Sequence, residues 1–170
     1  MRLLGVILAG GKSRRFGSDK ARAMVAGKPL MQHAIDALAT QTNELVISGH
    51  SWPGMVSIED KPKPDLGPLG GLNAALSYAA KNGFDAVLSL PVDVYPIPSD
   101  LTDRLAAESP RFLVRHFATG CWPASLASLL DQHLSEGNRS VRSWIERCGA
   151  KPIEFRNDRI SNINRPEDIP

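Results

Sequence analysis

An apolar run near the amino terminus, residues 3–9, constrains the fold more than any other part of the sequence. It reads LLGVILA, is apolar at consecutive positions, and ends at the glycine pair Gly10-Gly11. A short run of this kind, bounded by glycine, is typical of a parallel strand that is covered on both faces. The segment therefore predicts a buried parallel strand in an α/β protein.

Beyond residue 10, the 170-residue chain alternates short apolar strands with amphipathic helices, and its length suits a single domain over residues 1–170. Strands are predicted at 45–48, 55–58, 86–90, 112–115 and 152–155, and helices at 29–40, 68–79, 100–108, 122–135 and 139–148. This alternation predicts a three-layer α/β fold with a mostly parallel central sheet. The tryptophans Trp122 and Trp144 have aliphatic neighbours at helical spacing, so we expect both in the core.

Composition excludes several classes of function. The net charge is +2, from 20 basic and 18 acidic residues, which is weaker than the basic excess of a typical nucleic-acid binder. The two cysteines, Cys121 and Cys148, are too few for a disulfide framework or a cysteine metal site. No apolar run is long enough to span a bilayer, and the first one does not end in a cleavage-type site. We expect a cytoplasmic protein that binds neither nucleic acid nor membrane.

A basic loop follows the first predicted strand. Ligands of open α/β sheets bind outside the carboxyl ends of the strands, and this rim should hold both Gly10-Gly11 and Asp93, which follows the strand at 86–90. Glycine amides can form an anion-binding nest, and Arg14, Arg15 and Lys20 add positive charge. The spacing matches neither a Walker A loop nor the dinucleotide fingerprint, which argues against a dehydrogenase. On these residues alone, a polyphosphate site and a surface turn with solvated charges both stay open.

The stretch LAGGKSRRFGSDKA resembles the signature L-A-G-G-x-x-x-R-M-G-x-D-K of the nucleotidyltransferases related to molybdenum cofactor guanylyltransferase, with Phe16 in place of the methionine. Further stretches resemble that family in the same order: IEDKPKPDLGPLGGLNAAL, LPVDVYPIPSDL, HFATGCWPASL and NINRPEDI. The resemblance implies a Rossmann-like nucleotidyltransferase fold. It also implies transfer of GMP from GTP to the phosphate of molybdopterin, with Mg²⁺ as cofactor and molybdoenzyme maturation proteins as further partners.

The resemblance also implies roles for individual residues. The implied catalytic residues are Arg15, Lys20 and Asp93; the implied nucleotide-binding residues are Leu8, Ala9, Gly10, Gly11, Lys20, Ser48, Asp60 and Asp93; the implied metal ligand is Asp93; and the implied pterin-binding residues are Asn162 and Asn164. Ser48 stands where relatives commonly have asparagine. From its position alone, Asp93 suits a magnesium ligand after a buried strand, but a turn or cap residue is the alternative. Asn162 and Asn164 alternate around Ile163, although an asparagine-rich turn would have the same sequence.

Two other functions remain open on the sequence. One is a CTP-dependent cytidylyltransferase acting on the same pterin, since the residues that discriminate the base lie near 67–72. The other is a non-catalytic carrier of the nucleotide or cofactor, which would not require the carboxylate of Asp93. The histidines contribute little here: His33 is predicted to be structural, and His50 and His133 are predicted to lie at the surface.

Overall fold

The computed structural model describes residues 1–11, 17–108, 110–156 and 159–170. Its strands are β1 (Leu3–Leu8), β2 (Met24–Val25), β3 (Lys28–Pro29), β4 (Glu44–Ser48), β5 (Val56–Ile58), β6 (Ala86–Pro91), β7 (Val94–Tyr95), β8 (Arg111–Leu113), β9 (His116–Pro123), β10 (Lys151–Ile153) and β11 (Ser161–Asn162). Its α-helices are α1 (Leu30–Ala39), α2 (Pro68–Lys81), α3 (Leu101–Ala106), α4 (Ala127–Ser135) and α5 (Val141–Cys148).

The main sheet has the strand order β10-β8-β9-β6-β1-β4-β5. Strand β1 lies between β6 and β4 and is parallel to both, and β5 continues the parallel part. Only β9, among the described strands of this sheet, runs antiparallel to its two neighbours. The predicted Rossmann-like, mostly parallel α/β fold is confirmed.

Helices cover both faces of the sheet, as the first strand predicts. Helices α1 and α3 pack on one face together with Ile7, and helices α2, α4 and α5 pack on the other with Val6. Every residue of β1 is buried. Because burying one large aliphatic side chain contributes roughly 1.5–3 kcal/mol, this strand is a major source of stability. In the described part of the chain, no helix has the length and apolar character needed to cross a membrane.

The predicted helix at 122–135 is wrong at its beginning. Residues His116–Pro123 form β9, and the α-helix starts only at Ala127. The Trp122 side chain is fully buried, and its indole Nε1 donates a hydrogen bond to Ser89 Oγ on β6 at 2.8 Å. Trp122 therefore lies in the core, as expected. It belongs to a strand, however, and that strand pairs with residues distant in the sequence.

The prediction that His133 lies at the surface is also wrong. Its side chain is 3% exposed because α5 packs against α4 and covers it. The imidazole lies 5.7 Å from the Trp144 ring, between centroids, and its Nε2 is 3.0 Å from Ser143 Oγ. Burial lowers the pKa of His133 below its usual value of 6.5, and the positive charge of Arg147 lowers it further.

This buried histidine predicts loss of stability in weak acid. The unfolded chain binds a proton at His133 more tightly than the native chain does, so the stabilisation is complete above about pH 6.5 and declines as the pH falls. We expect His133→Asn to reduce the difference between urea midpoints measured at pH 7.5 and pH 5.5. The control His33→Asn keeps His133 and should retain the full difference. An unchanged difference in His133→Asn would contradict this assignment.

Candidate active site

Two adjoining cavities lie at the carboxyl ends of the parallel strands. The inner cavity, about 280 Å³, lies over the ends of β1 and β6 and includes Lys20 and Asp93. The outer cavity, about 1120 Å³, lies beyond the end of β5 and includes Asp60. Four residues border both cavities, and we call them the shared floor: Gly10, Gly11, Gly49 and His50.

Asp93 and Lys20 meet in the inner cavity. The Lys20 Nζ atom lies 3.4 Å from Asp93 Oδ2, and the two side chains are 19% and 17% exposed. The Asn162 amide donates to the other carboxylate oxygen, Oδ1, at 3.2 Å. The structure thus brings together a cation, a carboxylate and an amide that are separated by up to 142 positions in the sequence.

Short elements position these three side chains. Asp93 lies in the turn between β6 and β7, and β7 pairs with β11, which carries Asn162. The N–H of Ile163 donates to the Asp93 carbonyl at 2.7 Å, and the Ile163 side chain is fully buried. Lys20 begins a 3-10 turn, Lys20–Arg22, and the Ala21 N–H of this turn donates to the Asp19 carboxylate. The backbone at both partners of the Lys20–Asp93 pair is therefore held by hydrogen bonds.

The shared floor depends on glycine. Gly49 has φ of +80°, and a Cβ atom there would collide with the backbone of Gly10. Any side chain at Gly49 would push apart the loops that follow β1 and β4. Glycine at this position keeps the two loops in contact.

Part of the predicted nucleotide-binding backbone already bonds within the sheet. The Ala9 N–H donates to the Ser48 carbonyl at 2.9 Å, and the Leu8 carbonyl accepts from the Val92 N–H at 3.0 Å. The amides of Gly10 and Gly11 have no hydrogen-bond partner among the described residues. These two amides are available to a ligand in the inner cavity.

Ser48 and Asp60 form a second polar pair, at the edge of the outer cavity. Ser48 is 1% exposed, and its hydroxyl donates to Asp60 Oδ1 at 2.9 Å. Helix α2 approaches closely, since a Cβ at Gly71 would lie 2.7 Å from Ser48 Oγ and one at Gly70 would lie 2.8 Å from Asp60 Oδ2. The Ser48 hydroxyl thus fixes the orientation of the Asp60 carboxylate. Of this pair, Asp60 is the residue that lines the outer cavity.

His50 is a site residue that sequence reasoning missed. It was predicted to lie at the surface, but its side chain is 20% exposed and borders both cavities. Its Nε2 lies 2.8 Å from Asp19 Oδ2. Burial raises the pKa of the Asp19 carboxyl, but the hydrogen bond and charge of His50 act in the opposite direction, and the pKa lies below its usual value of 3.8. Its position in the sequence could have indicated a role, because Gly49-His50 directly follows a predicted strand and ligands bind at strand ends.

Two other predicted residues have no observed contact with this cluster in the described part of the chain. Arg15 lies outside the described residues. Asn164 is exposed, and its backbone N–H donates to Asp168 Oδ2 at 2.9 Å, in the loop before the 3-10 turn Pro166–Asp168. Of the two predicted pterin-binding asparagines, Asn162 is the one whose side chain contacts Asp93.

The donor set fits a divalent cation that is shared with a phosphate ligand. Within the described ranges, no group of three or more histidine, cysteine, aspartate or glutamate side chains could hold a metal by itself. Mg²⁺ is usually bound by one or two carboxylates, with waters and substrate phosphates completing its octahedron. A single partly exposed carboxylate, Asp93, beside two open glycine amides matches that chemistry.

Comparison with known proteins identifies the family. The model of the MobA-like NTP transferase domain matches residues 5–152. The chain belongs to the MobA-like NTP transferase family. This confirms the family recognised from the motifs, and with it the nucleotidyltransferase class of enzyme.

Individual MobA-like relatives match over almost their whole length. The molybdenum cofactor guanylyltransferase of Rhodobacter capsulatus is 33% identical, with 99% of this chain and 94% of the relative covered. The protein of the same name from Cereibacter sphaeroides is 36% identical, with the same coverage. A crystal structure of the molybdopterin-guanine dinucleotide biosynthesis protein A from Archaeoglobus fulgidus superposes with a TM-score of 0.78 at 20% identity, covering 98% of this chain and 94% of its own, and shares the fold.

Proposed function

We propose that this enzyme transfers GMP from GTP to the phosphate of molybdopterin, giving the molybdopterin guanine dinucleotide cofactor and pyrophosphate. The observation that carries the proposal is the meeting of Lys20 and Asp93 in the inner cavity, beside the amides of Gly10 and Gly11. The near-full-length relatives named molybdenum cofactor guanylyltransferase support the choice of nucleotide and acceptor. Because the product is a cofactor, we propose molybdoenzyme maturation proteins as its downstream recipients.

The reaction requires positioning and neutralisation of charge. An oxygen of the acceptor phosphate attacks the α-phosphorus of GTP in line, and the bond from that phosphorus to the oxygen bridging to the β-phosphate breaks. Pyrophosphate leaves with that electron pair, and no covalent enzyme intermediate forms. Aligning the two phosphates and stabilising the charge on the leaving group are what the protein supplies.

Each of the predicted catalytic, phosphate-binding and pterin-binding residues has a proposed task. The amides of Gly10 and Gly11 donate to phosphate oxygens, and Lys20 leaves Asp93 to draw the donor and acceptor phosphates together. Arg15 stabilises the negative charge that develops on pyrophosphate. Asp93 would hold Mg²⁺, which supplies neutralisation of the triphosphate charge when bound. Asn162 and Asn164 place the pterin or its phosphate.

The outer cavity suits the nucleoside. Asp60 lines it and can accept hydrogen bonds from the N1–H and N2 amino group of guanine or from ribose hydroxyls. Gly67, the N-cap residue of α2, lines the same cavity. A base can therefore lie close to main chain here, with Asp60 fixing its orientation.

A competition assay tests the choice of nucleotide. Purified protein is given Mg²⁺, molybdopterin and equal concentrations of GTP and CTP, and the products and pyrophosphate are measured. We expect the guanine dinucleotide and an equal amount of pyrophosphate. A cytosine product would replace the proposal with the cytidylyltransferase alternative, and tight binding without pyrophosphate release would favour the carrier.

Ser48→Ala tests the support of Asp60. The substitution removes the hydroxyl that donates to Asp60 Oδ1, and a hydrogen bond to a charged group contributes about 1–2 kcal/mol at a partly exposed site. We expect KM for GTP to rise by about 5- to 30-fold with little change in kcat. The control Ser135→Ala removes an exposed hydroxyl on α4 and should behave as wild type. Equal KM values in both variants would contradict a role for Ser48.

A further inference from the structure

Three of the four residues of the shared floor are glycines. Among the described residues, His50 is therefore the one that contributes a side chain to this floor. A nucleotide with its base in the outer cavity and its phosphates in the inner cavity must cross this floor. Gly10, Gly11 and Gly49 offer only backbone to such a ligand. His50 is therefore the shared-floor residue whose side chain can affect binding.

Both ring nitrogens of His50 face acceptors. Nδ1 lies 2.6 Å from the Ser51 carbonyl oxygen, and Nε2 lies 2.8 Å from Asp19 Oδ2. A neutral imidazole has one N–H and can donate to only one of these partners. A ring that donates to both partners is the doubly protonated imidazolium, whose positive charge would lie against Asp19.

A positive charge beside Asp19 would favour the binding of a triphosphate. The Asp19 carboxylate accepts from the Ala21 N–H at 3.1 Å and caps the 3-10 turn that carries Lys20. The same carboxylate borders the inner cavity, where it would repel a triphosphate if it were not neutralised. Arg22 also approaches Asp19 Oδ2, at 3.3 Å, but its side chain is 67% exposed and its charge is screened by solvent.

We propose that His50 is a positioning residue that neutralises Asp19 and holds the Lys20 turn in place for the triphosphate. This inference rests on the proposed function, because the triphosphate it serves is the nucleotide substrate. His50 acts through Asp19, so its loss should weaken nucleotide binding more than it slows the reaction of bound nucleotide.

Steady-state kinetics of five variants test the proposal: three single substitutions described below, Asp19→Asn, and Asp19→Asn combined with His50→Gln. His50→Gln keeps one donor without the charge, and we expect KM for GTP to rise about tenfold, as for one lost charge-assisted hydrogen bond, with a smaller change in kcat. His50→Arg restores a cation and should recover most of the loss. Arg22→Gln, the matched control, removes the exposed partner of Asp19 and should change KM less than His50→Gln. In an Asp19→Asn background, His50→Gln should cause little further loss.

A second measurement is independent of the reaction. Binding of inorganic tripolyphosphate to the ligand-free protein, followed by calorimetry, should weaken about tenfold in His50→Gln, while circular dichroism shows the fold retained. If tripolyphosphate binding weakens but GTP is not a substrate, the proposed function fails and the role of His50 stands. Equal tripolyphosphate affinity in wild type and His50→Gln, or an equal loss with and without Asp19, would overturn the inference.

Discussion

Asp93→Asn is expected to lower kcat for guanylyl transfer by about 10²–10³-fold, the scale on which removal of one preorganised charge-stabilising group acts. The substitution keeps the size of the side chain and an oxygen for Asn162, but it removes the negative charge that would hold Mg²⁺. The measurement is pyrophosphate release from GTP in the presence of acceptor, over a titration of Mg²⁺. The variant should also require more Mg²⁺ to reach its reduced maximum.

The fold should survive this change. The main-chain hydrogen bond from Ile163 to the Asp93 carbonyl does not involve the side chain, and the ion pair with Lys20 is partly exposed, so the expected loss of stability is about 1 kcal/mol or less. Asp100→Asn is the matched control, because Asp100 forms a half-exposed ion pair with Arg104 and borders neither cavity. Near-wild-type turnover by Asp93→Asn would remove Asp93 from the mechanism.

Lys20→Met should lower kcat/KM for GTP by about 10²-fold. Methionine keeps an unbranched apolar side chain but loses the ammonium group, which we assign to the donor and acceptor phosphates. Both kcat and KM should worsen, because the charge acts on bound substrate and on the transition state. Initial rates at varied GTP and fixed saturating Mg²⁺ measure this effect.

The control for Lys20 is Lys28→Met. Lys28 forms an ion pair with Asp36 at 2.7 Å, and both side chains are about half exposed, outside the two cavities. Its loss should leave kcat/KM within about twofold of wild type, as expected for a solvated surface pair. Equal activities of Lys20→Met and Lys28→Met would show that the ammonium group of Lys20 has no part in catalysis.

The parts of the fold that the sequence predicts best are those fixed by local pattern. The consecutive apolar residues of β1 predict burial on both faces, and the helical spacing from Leu30 to Leu38 predicts α1. Strand β9 was missed in part because its pairing partners, β6 and β8, lie elsewhere in the chain, and Trp122 fits a helical pattern as well as a strand. Burial of His133 likewise depends on how α5 packs on α4, which no local pattern records.

The candidate site likewise has a part that the sequence predicts and a part that it does not. Glycine, lysine and aspartate at the ends of predicted strands could be assigned to one rim, because parallel strands end on the same side of a sheet. The partners of these residues could not be assigned. Asp19 lies 31 positions from His50, and Ser48 lies 12 positions from Asp60, so these contacts arise only when the loops pack together.

The most direct test of the central claim is a crystal structure with Mg²⁺ and a non-hydrolysable GTP analogue. The account predicts the triphosphate over the amides of Gly10 and Gly11, with Lys20 released from Asp93 onto phosphate oxygens and Mg²⁺ on the Asp93 carboxylate. It also predicts the guanine in the outer cavity, beside Asp60. A triphosphate bound away from the inner cavity, with Lys20 still paired to Asp93, would contradict it.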